Sequence, residues 1–371
     1  MYYKIRQIIA LILSVFQIAS PFVAEKITDG GRTLMYDWSE SLEFTDEYFT
    51  VLEKSPERDF KILNLTDIQL DDDYIYVEDG VGMPCFELVR LLIETEKPDL
   101  ITVSGDSFCS TLATIDLIRI IESYDIPWAP IMGNHDGGNV GQWYFWATWR
   151  LYAADHSLFE YGPKDMGYGN YIINITENGS VIHTLYMMDT HAKTEYTIKG
   201  KETLGYDHLW DNQIAWYEWA VRGNEALAGH PIQSTVIYHI PNYEYFTAWK
   251  SVSDGKRKKD SPLGTIDPVY EDIASGHSGQ FGGYPPVTNG FFDTVKELGS
   301  TKDIIAGHDH MNDYSILYEG VRLTYALHTG MSSHHRKDMC GGTVITINSN
   351  GEASVHHAYY DYIDGEWVER E

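Results

Sequence analysis

Apolar residues fall into two rhythms along this chain from residue 60 onward. Residues 60–65 (FKILNL) form a short apolar run that stops at Thr66-Asp67, the mark of a buried strand. Residues 84–96 (PCFELVRLLIETE) place apolar side chains at helical spacing behind a leading proline, which predicts a helix. A second strand is predicted over 99–103, ending at Ser104-Gly105-Asp106, and a second helix over 112–124. A third strand follows over 127–132, ending at Gly133-Asn134-His135-Asp136. Strand, helix, strand, helix, strand is a βαβ series, so a parallel sheet covered by helices is expected. Further strands are predicted at 182–188, 235–240 and 303–306, with helices over 211–222 and 289–298. The last runs, 315–318, 321–326, 343–347 and 353–359, mix β-branched, aromatic and polar residues and read as antiparallel strands of a second sheet.

The ends of the chain read differently. Lys4 and Arg6 precede an apolar run from Ile8 to Phe16, and small residues follow at Ala19, Ser20 and Ala24. This is the layout of a secretory signal over 1–24, with an uncleaved N-terminal anchor as the competing reading. Export of the protein is therefore expected, and no second apolar run of membrane length occurs. Residues 25–57 read as an N-terminal extension, 58–362 as one large domain and 363–371 as a tail. Residues 250–262 (KSVSDGKRKKDSP) read as a solvated insertion loop. Three cysteines, Cys85, Cys109 and Cys340, contain no CxxC pair, which argues against structural zinc and leaves room for one bridge and a free thiol.

Charge changes the functional picture. With 27 Lys+Arg against 55 Asp+Glu among 371 residues, the formal net charge is −28. Phosphate contacts to nucleic acid need an excess of Lys and Arg, so a duplex nucleic-acid partner is not expected. An anionic substrate would meet a repelling field unless something locally positive awaits it, and a pair of bound cations would supply that.

Such cations have candidate ligands. Asp67 and Gln69 follow the first strand, Asp106 the second, and Asn134 and His135 the third. His239 closes STVIYHIP, and Gly307-His308-Asp309-His310 closes DIIAGHDH. In α/β sheets, ligands gather at the carboxyl ends of strands, so these scattered residues can converge. The donors are oxygen and nitrogen without sulfur, which suits Mn, Fe or Zn. One carboxylate bridging two cations, with histidines and an amide completing the shells, is how a two-metal hydrolase is built.

The ordered set D-x-Q, G-D, G-N-H-D, H and G-H-D-H resembles the calcineurin-like metallophosphoesterase superfamily, which includes the purple acid phosphatases. The stretch GHDHMNDYSILYEGVRLTYALHTG is similar to the C-terminal part of the Dcr2-type phosphatases of that superfamily. The resemblance implies a four-layer α/β/β/α sandwich of two mixed sheets. It also implies that Asp67, Gln69 and His310 bind a first divalent metal, that Asn134, His239 and His308 bind a second, and that Asp106 bridges them. His135 would face the substrate and protonate the leaving oxygen, with Asp136 orienting it. The implied activity is phosphoester hydrolysis with a metal-bridging hydroxide as nucleophile, most simply of a phosphomonoester on a small molecule or a phosphoprotein. A phosphodiesterase or nucleotide pyrophosphatase is the alternative, and an exported non-catalytic binding protein the remote one.

Two departures matter. Gln69 stands where the family usually has His; its weaker, harder amide oxygen favours Mn at the first site. Cys109 stands where an acid or tyrosine would, so no tyrosinate ligand is expected. Among other histidines, His191 and His277 are candidate substrate contacts, whereas His334 and His335, beside Arg336 and Lys337, read as a solvated loop. The aromatics Trp143 to Trp149 read as core packing of a helix.

Overall fold

The computed structural model describes residues 35–70, 82–137, 144–253 and 264–370. The expected signal or anchor and most of the 250–262 loop lie outside the described residues.

The first sheet grows from the predicted βαβ series. β2 (Phe60–Leu65), β3 (Leu100–Ser104) and β4 (Trp128–Ile131) run parallel. β3 and β4 are buried at every position, which is why they read as unbroken apolar runs. α1 (Gly82–Glu96) and α2 (Thr111–Glu122) make the crossovers. Ser110 caps α2 by accepting a hydrogen bond from the Ala113 amide, and the helix buries Ile115, Leu117, Ile118, Ile120 and Ile121. α3 (Tyr144–Ala153) packs against α2 and carries the aromatic run; Trp143 lies outside the described residues.

The sheet is completed by the C-terminal part of the chain. β16 (Cys340–Ile347) pairs antiparallel with β2, β17 (Ala353–Ile363) with β16, and β18 (Glu366–Glu369) with β17. The expected tail at 363–371 thus contains an edge strand.

The second sheet has eight strands in the order β1-β5-β6-β9-β13-β15-β14-β11. They are β1 (Phe49–Glu53), β5 (Tyr171–Glu177), β6 (Ser180–Met187), β9 (Gln233–Tyr238), β11 (Ala274–Ser275), β13 (Thr301–Ala306), β14 (Ser315–Tyr318) and β15 (Val321–Tyr325). β6, β9, β13 and β15 run parallel at its centre, flanked by antiparallel pairings. Two short pairings stand apart: the hairpin β7 (Lys193–Ile198) with β8 (Lys201–Tyr206), and β10 (Gly264–Thr265) with β12 (His277–Ser278). α4 (Asp211–Ala228), α5 (Glu244–Val252) and α6 (Phe291–Leu298) cover the second sheet. α4 runs further than the predicted 222 and stops where Gly229 takes a left-handed conformation, φ 76°.

Helices on the outside and two mixed sheets between them make the α/β/β/α sandwich, with one continuous apolar core. One expectation is corrected. The final strands do not form a sheet of their own: β14 and β15 extend the second sheet, and β16 to β18 the first. Alternating patterns reveal a strand but not which sheet edge receives it, because pairing is a long-range choice. The three cysteines are buried and free.

The centre of the second sheet should carry much of the stability. Ile237 on β9 is fully buried. Ile237→Ala is expected to lower the unfolding free energy by about 2–5 kcal/mol in chemical denaturation. A change below about 1 kcal/mol would contradict its place in the core.

Candidate metal centre

Each donor predicted from a strand end sits just past that strand, on a backbone bent by the loop. Asp67, Gln69, Asp106 and His308 are all left-handed, with φ of 56°, 42°, 48° and 77°. Non-glycine residues pay for that conformation, and it survives only where the surroundings over-determine it. Here they do. The Asp67 amide donates to the Gly105 carbonyl at 3.0 Å, and the Gln69 amide to the Asp106 carbonyl at 2.8 Å. The Gly307 amide donates to the His239 carbonyl at 3.1 Å. Glycines before the donors let these loops touch: a Cβ on Gly133 would lie 2.3 Å from the Asp106 amide, and one on Gly307 2.2 Å from Thr66 Oγ1.

One cluster gathers Asp106, His239 and His308, whose ligand atoms all lie within 4.8 Å of one another in a buried setting. His239 Nε2 is 3.2 Å from Asp106 Oδ2, 3.2 Å from Asn134 Oδ1 and 3.3 Å from His308 Nδ1. His239 Nδ1 donates to the Ser104 carbonyl at 2.8 Å, which aims Nε2 at the cluster. Beside it lies a second group. His310 Nε2 is 3.2 Å from Asp67 Oδ1, and His310 Nδ1 donates to the His334 carbonyl at 2.7 Å. Gln69 joins the groups, its Nε2 donating to Asp106 Oδ2 at 2.8 Å. An Asp106 oxygen also accepts from the His135 amide at 2.7 Å.

The donor set fits divalent cations. Among the described residues, the buried carboxylates Asp67 and Asp106 pair with histidines and with no Lys or Arg. Asp67 Oδ1 has only its ion-pair contact to His310, and His308 Nε2 is buried without a hydrogen-bond partner among the described residues. Such orphaned groups are costly unless a cation satisfies them. Burial pushes the Asp106 carboxyl up, but the His239 charge outweighs it and holds it at about 2. Asp67 is likewise held below the usual carboxylate range: burial opposes this, but the charges of His310 and His239 prevail. Burial lowers His239, yet Asp106 and Asp67 raise it to about 10. His308 is pushed down to about 3 by burial and by the His239 charge.

The remaining predicted residues divide. His135 is exposed at the site. The expectation that Asp136 orients it is corrected. Asp136 is fully buried, and its carboxylate accepts from the Phe108 amide at 2.6 Å and the Gly133 amide at 2.7 Å, so it fastens the loops after β3 and β4 together. His191 lies 2.8 Å from Gln213 Oε1 and stacks on Trp210 at 3.7 Å. The His277 ring pairs with Asp313, Nδ1 lying 3.4 Å from its carboxylate. Neither belongs to the metal-binding group among the described residues. Asp309 accepts from the Tyr325 hydroxyl at 2.7 Å and holds its loop.

Sequence reading missed three neighbours. His334, expected in a solvated loop, stacks on His310 at 4.3 Å. His328, fully buried, faces His310 from 4.5 Å. Tyr206 at the end of the 193–206 hairpin meets His308 edge-on at 4.3 Å, with Lys193 Nζ 5.6 Å from its ring. A lone His in an apolar run, or a hairpin Tyr, carries no spacing that would have marked it.

A two-sheet sandwich with these strand-end donors defines the class of metal-dependent phosphoester hydrolases. Residues 60–312 match the family model described as calcineurin-like phosphoesterase, and the chain belongs to that family. It is 28% identical over 289 residues to phosphatase DCR2 of Saccharomyces cerevisiae, covering 71% of this chain and 46% of that one. It is 28% identical over 268 residues to the Arabidopsis thaliana protein named "Probable inactive purple acid phosphatase 14", covering 63% and 59%. The chain thus spans about half the length of these relatives. Among solved structures, it is similar to a dimetal phosphatase from Danio rerio, with a TM-score of 0.45, 10% identity, and coverage of 80% of this chain and 98% of that one.

Two outcomes are expected. Asp136→Ala should cost about 1–3 kcal/mol in chemical denaturation, because two buried amides lose their acceptor. An unchanged midpoint would contradict the fastening role. Binding of Mn(II) should release protons, since His239 Nε2 must lose its proton to ligate. Calorimetry in buffers of different ionisation enthalpy measures this, and a buffer-independent heat would count against His239 as a ligand.

Proposed function

We propose that the protein is a dimetal phosphomonoesterase acting on a small phosphorylated molecule or a phosphoprotein. The observation that carries this reading is the meeting of Asp106, His239 and His308 beside Asp67 and His310 at the ends of neighbouring strands. Asp67, Gln69 and His310 would hold one cation, Asn134, His239 and His308 the other, with Asp106 shared. The bound cations supply Lewis-acid charge for the phosphoryl oxygens and make water a competent nucleophile at neutral pH.

The chain's own residues do the rest. For Gln69 to offer its oxygen, the amide must turn over, since its Nε2 faces Asp106. The left-handed loops hold the carboxylates in place before any ligand arrives, so little reorganisation is needed. His135, exposed and anchored through its amide, would give a proton to the leaving oxygen. Tyr206 stands next to His308, and Lys193, over the Tyr206 ring, brings one positive charge to that side of an acidic molecule. A relative carries "inactive" in its name. The presence here of His135, Asn134 and both histidines of GHDH supports activity. Gln69 keeps the diesterase or nucleotide pyrophosphatase reading as the second choice. Export through the 1–24 segment belongs to the same proposal.

Hydrolysis of p-nitrophenyl phosphate, bis-p-nitrophenyl phosphate and ADP-ribose with added Mn(II) separates the readings. Monoester turnover is expected to lead; robust diester or ADP-ribose turnover without it would reverse the choice. His135→Ala is expected to lower kcat by about 10²-fold, more for alkyl than for nitrophenyl esters, as loss of a general acid requires. An equal loss on both leaving groups would contradict proton donation.

A further inference from the structure

The carboxyl end of β15 supplies none of the candidate ligands named so far. β15 runs parallel to β13, with Ala306 opposite Tyr325, and the Ala326 amide donates to the Ala306 carbonyl at 2.7 Å. The residues after β15 therefore run beside those that carry His308 and His310. His328 is among them. On its other side the same segment is laid along the Asp67 loop. The Thr329 amide donates to the Thr66 carbonyl at 3.0 Å, the Thr66 amide to Thr329 Oγ1 at 3.2 Å, and Ser332 Oγ to the Ile68 carbonyl. His328 is thus held between the two loops that supply Asp67, Gln69 and His310.

Its hydrogen bonding is that of a ligand and not of a core histidine. Nδ1 lies 3.1 Å from the Gly330 carbonyl, which can only accept, so Nδ1 carries the proton. Nε2 is left with a bare lone pair, and it is buried with no hydrogen-bond partner among the described residues. His183 offers the contrast within the same protein. Equally buried, it pairs Nδ1 with the Gly351 carbonyl at 2.8 Å and Nε2 with Thr235 Oγ1 at 3.0 Å. A buried imidazole nitrogen left unpaired costs free energy unless something absent from the protein alone satisfies it.

We propose that His328 is a ligand of the first metal site, joining Asp67, Gln69 and His310 and supplying the imidazole that position 69 lacks. A glutamine amide is the weakest donor of that site, and a second imidazole from β15 makes good the affinity. The His334 ring, stacked on His310 at 4.3 Å, and the His328 ring, tilted against it at 4.5 Å, brace the His310 imidazole. The inference rests on the two-metal reading above.

The test is Mn(II) binding by the full chain, stripped with chelator and measured by calorimetry and by elemental analysis after desalting. Wild type is expected to hold two ions per chain. His328→Phe, which keeps an aromatic face against His310 but removes the lone pair, is expected to hold one and to bind the other at least tenfold more weakly. Gln69→His in that background is expected to restore the second ion. His328→Gln serves as the parallel variant if circular dichroism shows that the Phe protein is unfolded. Two ions at wild-type affinity in the folded variant would overturn the role of His328 and leave the two-metal site standing. Fewer than two ions in wild type would overturn both.

Discussion

Everything at this site depends on two buried carboxylates, Asp67 and Asp106, with which no Lys or Arg pairs among the described residues. Removing an ionised carboxylate from water costs several kcal/mol even after relaxation. Histidines alone repay this only while they stay protonated: His239 is raised to about 10, and His310 is raised as well, by those same two carboxylates. A cation repays it at any pH where the carboxylates are ionised. The left-handed donors, the close approach at Gly133 and Gly307, and the buried Asp136 clamp then follow as the cost of bringing the loops close enough.

Much of this was legible in the sequence, for a physical reason. In parallel strands buried on both faces the apolar run is continuous, so its end is abrupt and the first polar residues beyond it stand out. Asp67, Asp106, Asn134, His239, His308 and His310 are all such residues, and the fold brings them together because β2, β3 and β4 share one sheet and β9 and β13 the other. β2, β3 and β4 of the first sheet and β6, β9 and β13 of the second were therefore readable from local pattern, whereas β1 and β5 were not.

What was not legible depends on contacts across the chain. The division of the last strands between the two sheets is set by pairing, not by pattern. Asp136 reads as a partner for its neighbour His135, yet its carboxylate turns inward to amides at 108 and 133. His328 and His334 carry no motif; only the pairing of β15 with β13, and the hydrogen bonds of 329 to 66, place them against His310. The net charge of −28 would find its local answer at the same place, since two divalent cations held there would reverse the field that an anionic substrate meets.

The central claim is that these buried carboxylates exist to hold a pair of cations. Anomalous diffraction from crystals grown with Mn(II) tests it most directly. Two peaks are expected, about 3.5–4 Å apart and bridged by Asp106, one against Asp67 and His310 and the other against Asn134, His239 and His308. A single peak, or two peaks that do not share Asp106, would contradict it.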